Sequence, residues 1–126
     1  MVAALLVVFG LYEVALGLLL WLAPGFFFHD IGPYGPRAND HYMADNGTWY
    51  LALGAVSLVA AGRPRWWLPI VAVSFAQNTL HLLSHLLDIG ESHPGWHGPL
   101  DSVLLAVASL VLGWMLVVSA RTGSAG

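Results

Sequence analysis

The sequence predicts an all-α protein, a bundle of four transmembrane helices with both termini in the cytoplasm. Hydrophobic residues make up 58% of its 126 positions and charged residues only 9%, a composition outside the range of soluble globular domains. Four apolar segments are each long enough to cross the hydrocarbon core of a bilayer. The length suits a single domain, residues 1–126.

The predicted spans are bounded by turn-forming residues. The first stops at the APG sequence of residues 23–25 and the second at the GRP sequence of residues 62–64. The third tolerates Pro69 in its first turn. Pro99 marks the start of the fourth, where Asp101 adds a favourable negative charge. The four spans cover about residues 2–22, 44–61, 66–87 and 100–119.

Basic residues set the expected orientation. Arg63, Arg65 and Arg121 lie on one side of the four spans, and Arg37 alone lies on the other. The positive-inside rule therefore puts both termini in the cytoplasm. The first span lacks a basic n-region and a cleavage site, so we expect a retained helix rather than a signal peptide. The prediction is a multi-pass protein of the cell membrane, in contact with the lipid bilayer.

A stripe of polar residues on the third span is the strongest functional signal. At about 100° per residue, its members fall within roughly 60° of His81 on one helix face. Such side chains are costly to expose to lipid, so the stripe must face protein or water. The polar stripe consists of Ser74, Gln77, Asn78, His81, Ser84, His85 and Asp88.

Acidic residues on the other spans could meet this stripe. Glu13 lies near the middle of the first span, at the depth of Gln77, between Gly10 and Gly17. These small residues would let another helix approach closely. We therefore predict a ligand pocket in the extracytoplasmic half of the bundle. Its predicted lining is Glu13, Asp45, Gln77, Asn78, His81, His85 and Asp101.

Three kinds of chemistry fit this pocket. His81 and His85 have the i, i+4 spacing that lets two imidazoles bind one ion, and Asp45, Glu13 or Asp101 could complete a site for zinc or non-haem iron. Haem would need histidines from two helices, such as His81 with His41. Alternatively, the pocket could handle protons or bind a polar ligand, including the headgroup of a lipid or quinone.

A purely structural interpretation competes with these. Interhelical hydrogen bonds from Asn, Gln, Ser and His stabilise membrane bundles, so the stripe could simply hold helices together. Other classes are excluded by composition. The chain has no basic patch, which argues against nucleic acid as a partner. It has no cysteine, which excludes thiolate ligands and dithiol chemistry.

Two stretches carry a resemblance to a known family. The sequences GLYEVALGLLLWLAPGFF (residues 10–27) and NGTWYLALGAVSLVAAGRPRWW (residues 46–67) resemble the first two helices of small DoxX-like four-helix membrane proteins. The resemblance implies the four-helix fold and a link to quinone or thiol redox partners. Family members often carry an arginine near the start of the second helix and another in the third, which this chain lacks. The resemblance therefore transfers no catalytic residue.

The sequence thus predicts a small membrane protein that binds a metal ion or small ligand in a His/carboxylate pocket. If the protein is an enzyme, redox or metal-assisted chemistry on a lipid-soluble substrate is the class expected. The alternative is a non-enzymatic accessory subunit, whose polar stripe packs helices or binds a membrane protein partner.

Overall fold

The computed structural model describes residues 1–31 and 39–123, and no β-strand is found in these ranges. In chain order the helices are α1 (Val2–Leu22), α2 (Pro24–Phe26), a π-helix (Phe27–Ile31), α3 (Asp40–Ala61), α4 (Pro64–Leu87) and α5 (His97–Gly123). The described residues therefore contain five α-helices where four were predicted. The extra helix is the three-residue α2, which has a proline at its first position, where the missing N–H is no loss.

Three of these helices, α1, α4 and α5, are long and apolar enough to cross a membrane. The fourth long helix, α3, has a comparable length of 22 residues. It is less apolar because Asp40, His41 and Asp45 occupy its first two turns. The part of the chain that the structure describes is thus helical, with three candidate membrane-spanning helices.

Four helix ends differ from the predicted spans: the starts of α3, α4 and α5, and the end of α5, which extends to Gly123. α3 begins four residues before the predicted span, because the Asn39 side chain caps it by accepting a hydrogen bond of 3.0 Å from the Tyr42 N–H. α5 begins at His97, ahead of Pro99. The first N–H groups of a helix have no partner within it, so a proline is tolerated there. α1 has the predicted bounds.

The four long helices pack as two pairs. Contacts between α1 and α3 are the most extensive, followed by those between α4 and α5. Across the two pairs, α3 meets α4 to a smaller extent, and α1 touches α4 and α5 only sparsely. We call the boundary between the two pairs the seam. All four helices meet in one apolar core, which comprises Val2, Leu6, Ala60, Val71, Leu112 and Met115.

Glycines bring α1 and α3 into direct backbone contact. A Cβ added at Gly10 would lie 2.9 Å from the carbonyl oxygen of Gly54, and one added at Gly17 would lie 2.7 Å from that of Gly47. Gly10 and Gly17 are seven residues apart in the sequence, as are Gly47 and Gly54. Gly10 meets Gly54 and Gly17 meets Gly47, so the two helices run antiparallel. Small residues at this spacing are what close helix approach requires. The prediction that Gly10 and Gly17 admit a neighbouring helix is confirmed.

The two ends of the bundle differ in chemistry. The arginine end carries Arg63, Arg65 and Arg121. At the opposite polar end, α1 and α4 finish and α3 and α5 begin. Arg37, on which the orientation argument also depended, lies outside the described residues. The apolar core lies in the half of the bundle nearest the arginine end, which leaves the other half for the polar stripe.

The glycine contact gives a stability prediction. Gly54→Ala places a methyl group 2.8 Å from the Gly10 carbonyl oxygen, so α1 and α3 must separate. We expect a loss of about 2 kcal/mol in the free energy of unfolding, measured by denaturant unfolding in detergent. Gly62→Ala is the matched control, because a Cβ there meets no atom within 4 Å. Equal stability of the two variants would contradict the close contact.

Candidate functional site

The polar stripe runs along α4 from the bundle interior to the polar end. Ser74 is buried, and Ser84 and Asp88 are exposed. The other members of the stripe are partly buried: Gln77, Asn78, His81 and His85. Most of the stripe therefore faces protein, as the cost of exposing amides and imidazoles to lipid requires.

One part of the stripe binds α5. The Asn78 side chain donates hydrogen bonds to the Leu105 carbonyl oxygen at 2.9 Å and to Ser109 Oγ at 2.8 Å. The Thr79 hydroxyl lies 3.5 Å from the same Ser109 oxygen. These contacts satisfy an amide in an apolar bundle and fix α5 against α4.

The other part of the stripe contacts α3 through Tyr50. Gln77 Nε2 donates to the Tyr50 hydroxyl at 3.4 Å. The same hydroxyl lies 3.3 Å from His81 Nδ1. His81 Nε2 in turn lies 2.9 Å from His85 Nε2, with the two rings edge to face. A continuous line of hydrogen-bonding atoms thus runs from α3 to the last turn of α4.

These groups line a cavity between the helices. Its volume is about 40 Å³, enough for two or three atoms of water size. Its polar walls come from Glu13, Tyr50, Gln77, Asn78 and His81. Apolar side chains complete it: Phe9 and Leu16 of α1, with Leu105 and Leu112 of α5. The structure therefore brings four of the seven predicted pocket residues to one cavity.

Glu13 is the most unusual group in this cavity. Its side chain is only 5% exposed. The Ser57 hydroxyl of α3 is close to the carboxyl group, but Glu13 Oε2 and Ser57 Oγ both lack a hydrogen-bond partner of good geometry among the described residues. A buried carboxyl oxygen without a partner is costly. Such a group is a natural contact for a ligand that donates hydrogen bonds.

The position of Glu13 follows from its sequence. It lies between Gly10 and Gly17, on the face of α1 that touches α3. Helical side chains point towards the helix N-terminus, so the carboxyl group extends away from Gly17 towards Ser57. A flexible and polar side chain is held in place by the closest helix contact in the molecule.

The two predicted aspartates lie elsewhere. Asp45 is exposed and lies 3.6 Å from His41 across one turn of α3. Asp101 is half-buried and lies 3.9 Å from His97 on α5. Neither lines the cavity, although the Asp101 charge acts on both His81 and His85. Asp45 and Asp101 thus lie at the polar end of the bundle, outside the cavity.

A metal centre finds no support in the described residues. No three His, Cys, Asp or Glu side chains within residues 1–31 and 39–123 form a group that could hold a metal ion. The two Nε2 atoms of His81 and His85 are 2.9 Å apart, closer than the roughly 3.4 Å between two nitrogens that bind one zinc ion at tetrahedral angles. The zinc and iron hypotheses therefore stay predictions.

Sequence reasoning missed Tyr50, Tyr12 and Ser57. Aromatic residues near span ends are usually interface anchors, so Tyr50 carried no clear signal on its own. The spacing of Tyr50 from the glycines of α3 does carry a signal. Gly47, Tyr50, Gly54 and Ser57 recur every three or four residues, the pattern of a single helix face. Once Gly47 is taken as a packing residue, that face contains both missed polar groups of α3.

Comparison of the chain with family models, curated proteins and solved structures gives no match. The DoxX-like resemblance accordingly stays a prediction.

The bond between Asn78 and Ser109 can be tested with a double-mutant cycle. We expect Asn78→Ala and Ser109→Ala to show a coupling free energy of about 0.6 kcal/mol, since this is typical of side-chain hydrogen bonds between membrane helices. Unfolding in detergent gives the four stabilities of the cycle. Asn46→Ala serves as control, because that side chain bonds only to the Tyr42 carbonyl oxygen on its own helix. Additive effects at positions 78 and 109 would refute the bond.

Proposed function

We propose that the chain is a four-span membrane protein with both termini in the cytoplasm. The glycine contacts support this reading of α3. Because α3 lies against α1 from Gly47 to Gly54 and α1 is a candidate span, the two helices cross the same thickness together. The short connection between α3 and α4 makes these two helices consecutive spans. The positive-inside rule then puts the arginine end in the cytoplasm.

The orientation is testable because the chain has no cysteine. Single cysteines at Arg65 and Glu91 lie at opposite ends of the bundle. In intact cells, we expect a membrane-impermeant maleimide to label Glu91→Cys and to label Arg65→Cys only after permeabilisation. The reverse pattern would invert the topology, and labelling of both positions without permeabilisation would exclude the four-span arrangement.

Within this frame, the cavity functions as a binding site for a small hydrogen-bonding ligand. The buried, unpartnered oxygen of Glu13 is the observation that carries the proposal. Tyr50, Gln77 and His81 supply further donors and acceptors in the same cavity. A group that hydrogen-bonds Glu13 would remove the cost of burying its oxygen. Ligand binding would therefore stabilise the protein through Glu13.

Cavity size limits the polar part of the ligand. About 40 Å³ accommodates a hydroxyl, an amine or a carbonyl group, but not an aromatic ring system. Tyr12 lines the cavity while its side chain is 62% exposed on the bundle surface. The cavity thus borders the face that α1 presents to lipid, along the loosely packed seam. These features favour a lipid-soluble molecule that inserts a small polar headgroup.

Two elements of the proposal concern reactivity. Glu13 and His81 are groups that exchange protons, as redox chemistry on a quinone-like or alcohol substrate requires. Zinc or non-haem iron would add a Lewis acid or an electron carrier, with His81 and His85 as the available nitrogen ligands. The proton-exchanging groups meet in the cavity, whereas the metal version lacks a third ligand among the described residues.

A ligand screen tests the proposal. Purified protein is heated with single-chain alcohols, amines and quinones, and separately with Zn²⁺ and Fe²⁺, and its Tm is recorded. A compound at a hundred times its Kd should stabilise the wild-type protein by about 2.7 kcal/mol. We expect Glu13→Gln to abolish this shift and Asp45→Asn to retain it, since Asp45 lies outside the cavity. A panel without any shift that depends on Glu13 would contradict the proposal.

The accessory-subunit alternative also has a specific observation in its favour. The Asn78 side chain donates its hydrogen bonds to α5, so part of the stripe does hold helices together. Gln77 and His81 bond to Tyr50 of α3 as well, but these three side chains also form part of the cavity wall. If His81→Gln keeps stability, partner retention and cellular activity, the accessory role becomes the better interpretation.

A further inference from the structure

The line of atoms from His85 to Tyr50 has a second property beyond lining a pocket. Both ring nitrogens of His81 are engaged, Nε2 with His85 at 2.9 Å and Nδ1 with Tyr50 at 3.3 Å. An imidazole that contacts one group through each nitrogen can take up a proton on one side and release a proton on the other. His81 therefore joins two hydrogen-bonding partners.

Tyr50 extends this line into the cavity. Its oxygen has two lone pairs, and Gln77 Nε2 donates to one of them at 3.4 Å. If His81 Nδ1–H donates to the other, the Tyr50 O–H must point elsewhere, and Tyr50 is part of the cavity wall that also holds Glu13. In the opposite tautomer, Tyr50 O–H donates to His81 Nδ1, and His81 Nε2–H donates to His85 Nε2. The same heavy-atom contacts thus accommodate both proton arrangements.

We propose that His85, His81 and Tyr50 form a proton relay between the extracytoplasmic surface and the buried carboxyl group of Glu13. The relay rests on the proposed topology, which puts the polar end outside. The three groups are ordered by depth, because His85 lies in the last turn of α4, His81 one turn below it and Tyr50 beside the cavity.

Each transfer conserves protons. A proton from outside binds His85, and His85 Nε2 passes a proton to His81 Nε2. His81 then releases its Nδ1 proton to the Tyr50 oxygen, while Tyr50 gives its hydroxyl proton to the cavity. The Glu13 carboxylate accepts that proton and becomes a carboxylic acid. Rotation or tautomer exchange of the two imidazoles resets the line, and no bond between heavy atoms changes.

The cavity completes the connection between Tyr50 and Glu13. Its volume of about 40 Å³ has room for two or three water molecules. Water or the hydroxyl of a bound ligand would carry the final transfer to Glu13 Oε2. A ligand that occupies the cavity therefore receives its proton from the same line of groups.

The surroundings are compatible with proton entry. The titratable or polar groups facing the relay are Tyr12 and Glu13 of α1, Ser57 of α3, Asp88 beside His85 at the end of α4, and Asp101 of α5. Asp88 and Asp101 put negative charge near His85, at the outer end of the relay. Negative charge there attracts protons. The sequence has no lysine, and Arg63, Arg65 and Arg121 lie at the arginine end. Within the described residues, no cation therefore lies between His85 and Glu13.

Time-resolved infrared spectroscopy of proteoliposomes tests the relay. The signal is the C=O stretch of a protonated carboxyl group, assigned to Glu13 by its absence in Glu13→Gln. The external pH is lowered rapidly and the growth of the band is followed. We expect His81→Gln, His85→Gln and Tyr50→Phe to slow this growth about a hundredfold, the scale of losing a positioned proton-transfer group.

Matched controls separate the relay from general damage. His41→Gln and Tyr42→Phe remove the same chemical groups from exposed positions near the start of α3, and both should keep the wild-type rate. Unchanged rates in His81→Gln and His85→Gln would overturn the relay, as would a Glu13 band that never responds to external pH. The ligand screen at fixed pH is independent, so binding without the relay and the relay without binding are distinguishable results.

Discussion

The contact between the backbones of α1 and α3 fixes the relative positions of Glu13, Tyr50 and Ser57. Glycines at positions 10, 17, 47 and 54 let the two helices approach until each would exclude a methyl group on the other. This contact permits one register. In that register Glu13 faces Ser57, and Tyr50 comes to the edge of the seam, where α4 presents Gln77 and His81. A looser packing of α1 against α3 would leave a polar side chain without a defined place in an apolar bundle.

Against this rigid pair, the polar stripe of α4 has two separate tasks. Asn78 satisfies its amide on α5, which secures the second pair of helices. Gln77 and His81 reach across the seam to Tyr50. A single helix face thus combines a structural contact on one side with a hydrogen-bonded cavity wall on the other. The two interpretations of the stripe, packing and function, apply to different residues and do not exclude each other.

The sequence predicted the helical architecture because hydropathy and turn residues report directly on membrane helices. It also identified the inward stripe and the close-packing face of α1, since both depend only on the 3.6-residue period. It could not rank Asp45 below Glu13, because the choice depends on which helix faces turn towards each other. Tyr50 was overlooked for the same reason. Helix order and rotation are set by contacts between distant residues, and Gly47 is informative only once it is paired with Gly17.

The division into two helix pairs has a mechanical consequence. Within each pair, separation would break backbone contact or the Asn78 bonds, so each pair resists deformation. Between them, α1 meets α4 and α5 only sparsely, and the Tyr50 hydrogen bonds across this boundary, at 3.3 and 3.4 Å, are longer than those of Asn78 within the second pair. Elastic deformation is therefore concentrated along the seam. The volume around Glu13 can grow or shrink there by a small tilt of one pair, with the interior of both pairs unchanged.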